Sequence, residues 1–264
     1  MVDNEENLFS NLIPGYEGIG RFYDLFADNS DIPFYLRYAH KTGSPVLELA
    51  AGTGRVSFSL AHEGFTVVAL ENSPSMLKRA REKLKQEPEE SAKRITIIEG
   101  DMTNFSLHRK FSLIIIPASF GHALTTEAQL STLHCIHKHL DESGIFILDI
   151  FPGALQHQHA TFSDTPVQLP DGTTVERHGE IHTDLVKQLM RANLHYIVRD
   201  AAKNIIEDHQ VVSGAALLFN REVDLLLELA QFEIIEELGS FEGEPYFSES
   251  GRRLLILRKK VHKE

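Results

Sequence analysis

Five short apolar runs alternate with segments of helical hydrophobic spacing over the first 151 residues. The runs lie at 46–49, 66–71, 95–99, 111–117 and 145–151. Runs that are apolar throughout are typical of strands buried on both faces of a parallel sheet. Helical segments are indicated between them, at 55–62, 74–86 and 127–140. This order predicts an α/β fold in which strands and helices alternate.

The alternation of strand and helix breaks after residue 151. Segments 173–184, 185–200 and 204–218 instead alternate polar and apolar residues, with turn residues such as 170–172 between them. They predict antiparallel strands inserted after the fifth strand, covering the active site. A helix over 220–230 and strands at 232–241 and 253–259 follow. The insertion also carries possible acceptor contacts, namely Arg177, His178, His182, Arg191, His195 and Tyr196.

A glycine turn joins the first strand to the first helix of the core. Gly52 and Gly54 have no Cβ, so a ligand can lie against the backbone beside the free N–H groups of the helix start. A dinucleotide turn would have a third glycine at Ser57, and no P-loop lysine follows. Glu48 would repel a pyrophosphate, but it suits a cationic ligand. S-adenosylmethionine (SAM) has an ammonium, a sulfonium and no phosphate.

Three segments together resemble class I SAM-dependent methyltransferases. Residues 48–54 resemble the E/D-x-G-x-G-x-G motif, with Ala50 in place of the first glycine. Residues 71–77 are similar to the D-x-S-x-x-M-L segment of the family, and residues 100–102 to its G-D-M/A segment. The resemblance is strong over 20–150 and weaker over 219–260. It implies a doubly wound, Rossmann-like, seven-stranded and mainly parallel sheet, its last strand antiparallel.

The resemblance also implies a division of one methyltransferase domain spanning 1–264. A helical N-terminal cap would occupy 1–40, with a helix starting near 29–33, and the SAM-binding core 41–151. An inserted antiparallel β lid would occupy 152–218. The final helix and strands would fill 219–264.

Individual residues receive roles from the same resemblance. Glu71 ends the second strand, 17 residues after Gly54, close to the spacing at which an acid reaches a ribose diol. Asp101 would accept the adenine amine, and Met76 would pack on the adenine. An N-terminal tyrosine would close over the cofactor, with Tyr23 preferred. Tyr16 is the second choice. The predicted cofactor-binding residues are Tyr23, Glu48, Ala50, Gly52, Gly54, Arg55, Glu71, Asn72, Met76, Asp101, Met102 and Ala118.

One histidine is the candidate general base. His122 lies in the loop after the fourth strand, where open α/β sheets bind ligands. The resemblance implies that this loop faces the methyl acceptor, and an unperturbed imidazole titrates near ~6.5. The alternative is a histidine that only caps the next helix.

Composition limits the partners. The net charge of −12, from 26 Lys and Arg against 38 Asp and Glu, argues against a nucleic-acid surface. The single Cys135, an acidic N-terminus and the lack of a ~20-residue apolar stretch predict a cytoplasmic protein without a disulfide or a membrane span. No metal is expected, because His134, His137 and His139 do not share one helix face.

These observations together predict a methyltransferase that moves a methyl group from SAM to an N or O atom of a small-molecule acceptor, leaving S-adenosylhomocysteine. A monomer or homodimer is expected. Two alternatives stay open at this point. They are an NAD(P)-dependent oxidoreductase, which cofactor titration would distinguish, and a non-catalytic SAM-binding regulatory subunit, which would transfer no methyl group.

Overall fold

A computed structural model describes residues 8–10, 12–152 and 159–261. The helices are α1 Gly20–Tyr23, α2 Ile32–Thr42, α3 Arg55–His62, α4 Pro74–Leu84, α5 Glu89–Ala92, α6 Thr126–His139 and α7 Asn220–Leu229. The strands of the first sheet are β1 Val46–Leu49, β2 Val67–Glu71, β3 Ile95–Glu99, β4 Phe111–Ile116, β5 Leu140–Ile150, β11 Phe232–Leu238 and β12 Arg253–Lys259. Those of the second are β6 His159–Ser163, β7 Val167–Gln168, β8 Thr174–Asp184, β9 Leu189–Arg199 and β10 Ile205–Ala216.

The first sheet has seven strands in the order β11-β12-β5-β4-β1-β2-β3. Strands β1 to β5 pair in parallel with one another, whereas β12 pairs antiparallel with both β5 and β11. The predicted doubly wound, Rossmann-like sheet with an antiparallel last strand is therefore confirmed.

Burial on both faces explains the uniform apolar runs of the central strands. In β4, Ile114 and Ile116 join a core cluster that contains residues of α6 and α7. The alternate residues Leu113 and Ile115 join a second cluster with α2 and α3. Because side chains alternate across a strand, a strand covered on both sides has no polar face.

The second sheet is the predicted antiparallel insertion. Its path is β10-β9-β8-β6, and the short β7 also pairs with β8. One face carries buried residues, including Val175, Leu194 and Tyr196, which pack with Ile19 and Phe22 of the N-terminal segment. The alternation seen in the sequence follows from this one-sided burial. Strands β6 and β7 were not predicted, because neither contains an apolar run and both are defined by their pairing with β8.

Two local predictions differ from the structure. Residues 141–144, which lie between the predicted helix 127–140 and the predicted strand 145–151, belong to β5, where the register with β4 shifts between the Phe111–Leu140 and Leu113–Ile145 pairs. Residues 1–7 and 11 of the predicted N-terminal cap lie outside the described residues, and within the described part the cap is helical only at α1 and α2. Residues 12–18 are not helical and run between the two sheets, with Pro14 bridged to Gly214 of β10. Proline and two glycines in this stretch disfavour a helix.

Within the described ranges, no helix combines the length and the apolar character that crossing a membrane would require.

Candidate active site

The turn between β1 and α3 has a left-handed backbone at alternate residues. The φ angles are 52° at Ala50, 58° at Gly52 and 81° at Gly54. A Cβ added at Gly52 would meet no atom within 4 Å, whereas one at Gly54 would overlap the ring of Phe58. Gly54 is therefore needed for packing, and Gly52 leaves an open space against the backbone where a ligand can lie.

Glu71 connects this turn to the next one. One carboxylate oxygen accepts the N–H of Gly52 at 2.7 Å, and the other accepts that of Ser73, also at 2.7 Å. The side chain is half-buried at the end of β2. The carboxylate thus lies where the sequence predicted a ribose ligand, and it also holds the glycine turn in place.

A first cavity, of about 310 Å³, opens beside Glu71 and is called here the strand-end cavity. It lies past the ends of β2 and β3, as expected for an open α/β sheet. Five predicted cofactor-binding residues lie on its wall, namely Ala50, Glu71, Asn72, Asp101 and Met102. The candidate base His122 lies there too. The other wall residues are Pro14, Gly15, Leu70, Ser73, Gly100, Thr103, Ala123, Leu124, Thr125 and Ala128.

Met76 requires a correction. It is 3% exposed and packs with Phe22 and Tyr196 under the lid, and it does not line the strand-end cavity. Its position on α4 turns it toward α1, which lies very close because Gly20 has no Cβ to collide with the Ser75 carbonyl. Gly54 likewise lines neither cavity described here.

A second cavity, of about 400 Å³, lies under the inserted sheet and is called the lid cavity. The predicted residues on its wall are Tyr23, Glu48, Ala50, Gly52, Arg55 and Ala118. The inserted sheet contributes Phe162, Arg177, Ile181, Met190, Ala192, Leu194 and Tyr196. Ala50 lines both cavities, so the two cavities adjoin at this residue of the glycine turn.

Glu48 is the most perturbed acid of the site. Burial raises the pKa of its carboxyl to about 7, although the Ser57 hydroxyl donates a hydrogen bond to it and Arg55 lies nearby. Arg55 itself is paired with Asp31, with 2.6 Å between Nη2 and Oδ2. A buried carboxylate without its own cation is a fitting neighbour for a cationic ligand group.

Tyrosines dominate the polar side of the lid cavity. Burial raises the pKa of Tyr16 and Tyr196, and it raises that of Tyr23 to about 12. All three therefore remain neutral phenols. The buried hydroxyl of Tyr196 has no hydrogen-bond partner of normal geometry within the part of the chain that the structure describes. A polar group of a bound ligand would satisfy it.

Asp149 and Arg252 also line the lid cavity and were missed in the sequence. The Arg252 guanidinium lies 2.7 Å from Oδ2 of Asp149, and the Tyr35 hydroxyl donates to the same oxygen at 3.0 Å. Burial raises the pKa of Asp149, and Arg252 opposes this shift. Asp149 could have been found in the sequence, because it is an acid near the end of the apolar run 145–151, as Glu48 and Glu71 are in their own runs.

His122 lies at the strand-end cavity and is not part of the lid cavity wall. It ends a 3₁₀ turn over Phe120–His122, and its Nδ1 accepts the N–H of Gly15 at 3.1 Å. Tyr16 packs edge-on against the imidazole, with 5.5 Å between ring centroids. Burial lowers the pKa of His122. These contacts hold the N-terminal segment, and they give the base hypothesis no geometric support.

Comparison with known proteins agrees with this site. A methyltransferase domain family matches residues 46–144. The dTDP-3-amino-3,4,6-trideoxy-α-D-glucopyranose N,N-dimethyltransferase of Streptomyces venezuelae is 30% identical over 194 residues, which cover 71% of this chain and 75% of that protein. The dTDP-3-amino-3,6-dideoxy-α-D-glucopyranose N,N-dimethyltransferase of Streptomyces fradiae is 28% identical, covering 77% and 75%.

The fold has a close match among solved structures. The CcbJ methyltransferase of Streptomyces caelestis superposes with a TM-score of 0.77 at 22% identity, covering 92% of this chain and 96% of that one.

The chain belongs to the class I SAM-dependent methyltransferases, and SAM is its cofactor. The residues fit the cofactor, since Glu48 suits its ammonium, Glu71 and Asp101 its adenosine, and the open face of Gly52 its close approach. When bound, SAM supplies a methyl group on a positively charged sulfur. The oxidoreductase alternative is wrong, and so is the non-catalytic alternative, because the chain is a methyltransferase enzyme.

Proposed function

We propose that this enzyme methylates an amine nitrogen of a small molecule, with an amino sugar as the acceptor class. The proposal rests on the lid cavity, which adjoins the glycine turn and is roofed by the inserted sheet. The two amino-sugar N,N-dimethyltransferases that resemble this chain support the same acceptor class.

One observation carries the choice of nitrogen over oxygen. Among the residues that the structure describes, every carboxylate on the wall of the lid cavity is already engaged by a donor of this chain. Asp31 is engaged by Arg55, Asp149 by Arg252 and Tyr35, Glu48 by Ser57, and Asp28 by Ser30. A hydroxyl acceptor needs a base to take its proton. Glu48, whose pKa of about 7 would suit a base, is the predicted partner of the cofactor ammonium, and the other three carboxylates are held by donors of the chain. A neutral amine already presents a lone pair.

The chain's part in the reaction is then mainly positioning. Neutral phenols of Tyr16, Tyr23 and Tyr196 can accept or donate hydrogen bonds around the acceptor without carrying charge. Apolar residues of the lid, among them Ile181 and Met190, exclude water. Holding two reactants in line can lower a barrier by ~7–11 kcal/mol, which is enough to make a dedicated base unnecessary.

The lid supplies one further acceptor contact. The Arg177 guanidinium lies over the ring of Phe26, 4.6 Å from its centroid, and its Nε is 2.6 Å from Asp164. It raises the polarity of a wall that is otherwise apolar, as expected for an acceptor with several hydroxyl groups.

The test is a comparison of matched acceptors. The purified enzyme is incubated with SAM and either a 3-amino sugar, free or nucleotide-linked, or its 3-hydroxy counterpart. Release of S-adenosylhomocysteine and the methylated product are measured by mass spectrometry. We expect methylated amine, and a rate that increases with pH until the acceptor amine is neutral.

Two results would contradict the proposal. One is methylation of the hydroxyl sugar at a rate comparable to that of the amine. The other is the absence of any amine product across primary and secondary amines while SAM binds normally.

A further inference from the structure

The two faces of strand β8 have different surroundings. Arg177 and Ile181 point into the lid cavity. Glu180 and His182 lie on the opposite face, because side chains alternate along a strand. His159, the first residue of β6, is the direct cross-strand partner of His182. Three side chains of metal-binding type therefore meet on the outer face of the lid.

The ligand atoms of this cluster converge on one point. The Nε2 atom of His159 lies 2.8 Å from Oε1 of Glu180, and that of His182 lies 3.2 Å from the same oxygen. The two imidazole rings are 4.6 Å apart between centroids, with 30° between their planes. All three ligand atoms lie within 4.8 Å of one another. In a tetrahedral zinc site with bonds of ~2.0–2.2 Å, neighbouring ligand atoms are ~3.3 Å apart.

We propose that His159, Glu180 and His182 form a binding site for a divalent transition-metal ion, with Zn²⁺ as the favoured ion and water in the open position. Two neutral imidazoles and one carboxylate are the ligands of such ions, whereas Mg²⁺ and Ca²⁺ prefer oxygen alone. Bringing the ligands to zinc distances needs only small side-chain rotations.

Neighbouring residues already orient the carboxylate. The amide of Asn193 on β9 donates to Oε2 of Glu180 at 3.3 Å, which leaves Oε1 toward the imidazoles. Asn193 is in turn held by Nε of Arg191, which donates to its Oδ1 at 2.9 Å. Outer contacts of this kind fix the geometry of metal ligands in proteins.

The cluster is open to solvent, so an ion can enter without rearrangement of the fold. The exposed fractions of the side chains are 53% for His159, 45% for Glu180 and 24% for His182. We expect micromolar affinity. In the sequence, only His134, His137 and His139 were considered as metal ligands. The sequence did not indicate this cluster, because His159 is 21 residues from Glu180 along the chain.

A bound ion would fasten the edge strand β6 to β8. Phe162, on the other face of β6, lines the lid cavity. A bound ion would thus stabilise the position of the strand that carries Phe162, although none of the three proposed ligands lines either cavity.

The experiment measures metal binding directly. Metal-free protein without a histidine tag is titrated with ZnCl₂ by calorimetry, and its thermal unfolding is followed with Zn²⁺ or Mg²⁺. We expect one Zn²⁺ per chain and a higher unfolding temperature with Zn²⁺ only. The substitution His182→Ala should weaken binding at least ~10-fold. His178→Ala is the matched control, since His178 lies on the same face of β8 and bonds to Ser163, outside the cluster.

Several outcomes would overturn the proposal. They are no binding by the parent protein at millimolar Zn²⁺, equal binding by His182→Ala, or an equal loss in His178→Ala. His159→Ala provides a second variant if His182→Ala fails to fold, as judged by circular dichroism. Methyl transfer is not used as a readout, so the result is independent of the acceptor assignment.

Discussion

Three acids that end parallel strands have different roles in this protein. Glu48 is buried beside a hydroxyl, Glu71 accepts two backbone N–H groups, and Asp149 is paired with Arg252. All three side chains carry a carboxyl group, but their hydrogen-bond partners differ. Environment therefore decides which carboxylate is available to a cationic ligand.

The first prediction concerns Glu48 and pH. Its folded pKa, about 7, is above the ordinary value of 4.5, so folding favours the protonated form. Its contribution to stability is fully present below pH 4.5 and is lost as the pH rises through 7. Without cofactor, the free energy of unfolding of the parent protein should fall by up to ~3 kcal/mol relative to Glu48→Gln between pH 5 and 8.

Urea denaturation at several pH values, with SAM absent, checks this difference. Equal pH dependence in the parent protein and in Glu48→Gln would show that Glu48 is already ionised without cofactor. Added SAM should reduce the difference, because its ammonium favours the carboxylate.

The second prediction concerns Glu71. Glu71→Ala should weaken SAM binding by ~2–3 kcal/mol, about 30–150-fold, because a charged acceptor and two backbone bonds are lost. Glu99→Ala is the control, since Glu99 is the register partner of Glu71 at the end of β3 and is exposed. Calorimetry with SAM measures both. Unchanged affinity in Glu71→Ala would remove Glu71 from the ribose site.

The third prediction separates two roles of His122. His122→Ala should lower the free energy of unfolding by ~1–3 kcal/mol, because the Gly15 N–H loses its acceptor. His122→Asn places an amide oxygen near the Nδ1 position and should restore most of that stability. If His122 only holds the N-terminal segment, both variants keep the kcat of the parent.

If His122 is the general base, both variants lose kcat by ~10²–10⁴ and lose the acid limb of the pH–rate profile. The burial that lowers its pKa would place that limb below the usual range of histidine. The amount of methylated product formed at fixed reaction times, measured at saturating SAM from pH 5 to 9, distinguishes the two roles.

The two faces of the inserted sheet carry different side chains. The inner face of β8 and β9 lines the cavity with Arg177, Ile181 and Leu194. The outer face carries the proposed metal ligands. In the proposed function the inner face would contact the acceptor, and in the proposed metal site the outer face would bind the ion.

The fourth prediction tests the packing of the lid wall. A Cβ at Gly179 would overlap the ring of Phe162. Gly179→Ala should push this ring from its position, with a strain of ~1–3 kcal/mol, and raise the KM for the acceptor. SAM affinity should change less than the KM for the acceptor, because Phe162 belongs to the inserted sheet, whereas Glu48 and Gly52 belong to the parallel sheet and its glycine turn.

Gly251→Ala is the control for this substitution, since a Cβ there meets no atom within 4 Å. Steady-state kinetics with an acceptor found by the sugar panel provide the measurement. A change in SAM affinity without a change in the KM for the acceptor would contradict the assignment of Phe162 to an acceptor-binding wall.

At the scale of the whole molecule, the site is assembled from three parts of the chain. The parallel sheet provides the glycine turn, and the inserted sheet provides the roof. The N-terminal segment joins them, because Gly214 of β10 donates to the Ile13 carbonyl at 2.8 Å and Gly18 donates to Ser75 of α4 at 2.9 Å. A cofactor in the two cavities would contact all three parts.

The fifth prediction follows from this assembly. At a SAM concentration of about 100 times its Kd, the free energy of unfolding should rise by ~2.7 kcal/mol, or a Tm increase of roughly 5–10 °C. Hydrogen exchange should slow in residues 12–26 and in the lid as well as at the turn. NADP at the same concentration should change neither, and equal protection by NADP would contradict the cofactor assignment.

Much of the fold was predictable because it depends on local patterns. The bounds of α3, β3 and β12 agree with the sequence to the residue, since apolar runs bounded by polar residues indicate the two strands and glycines at 54 and 64 flank the helix. The glycine turn and the position of Glu71 at a strand end were predictable for the same reason, whereas their roles toward the cofactor stay predictions. The short β6 and β7 and the irregular start of β5 were not, because their pairing is decided by partners distant in sequence.

The amino-acid sequence by itself determined the class of protein. The spacing of Glu48, Gly52, Gly54, Glu71 and Asp101 is a local property. Each residue lies close to or shortly after the end of β1, β2 or β3, and these ends lie at the same sheet edge. The cofactor therefore followed from order along the chain and from the geometry common to all parallel sheets.

Only the tertiary structure decided which residues face which cavity. It placed His122 with the N-terminal segment, turned Met76 into the lid core, and brought Arg252 to Asp149 across 103 residues. It also joined His159 to His182 across two strands. Such contacts depend on helix phase, strand register and the docking of one sheet on another, and no local pattern in the chain encodes these long-range distances.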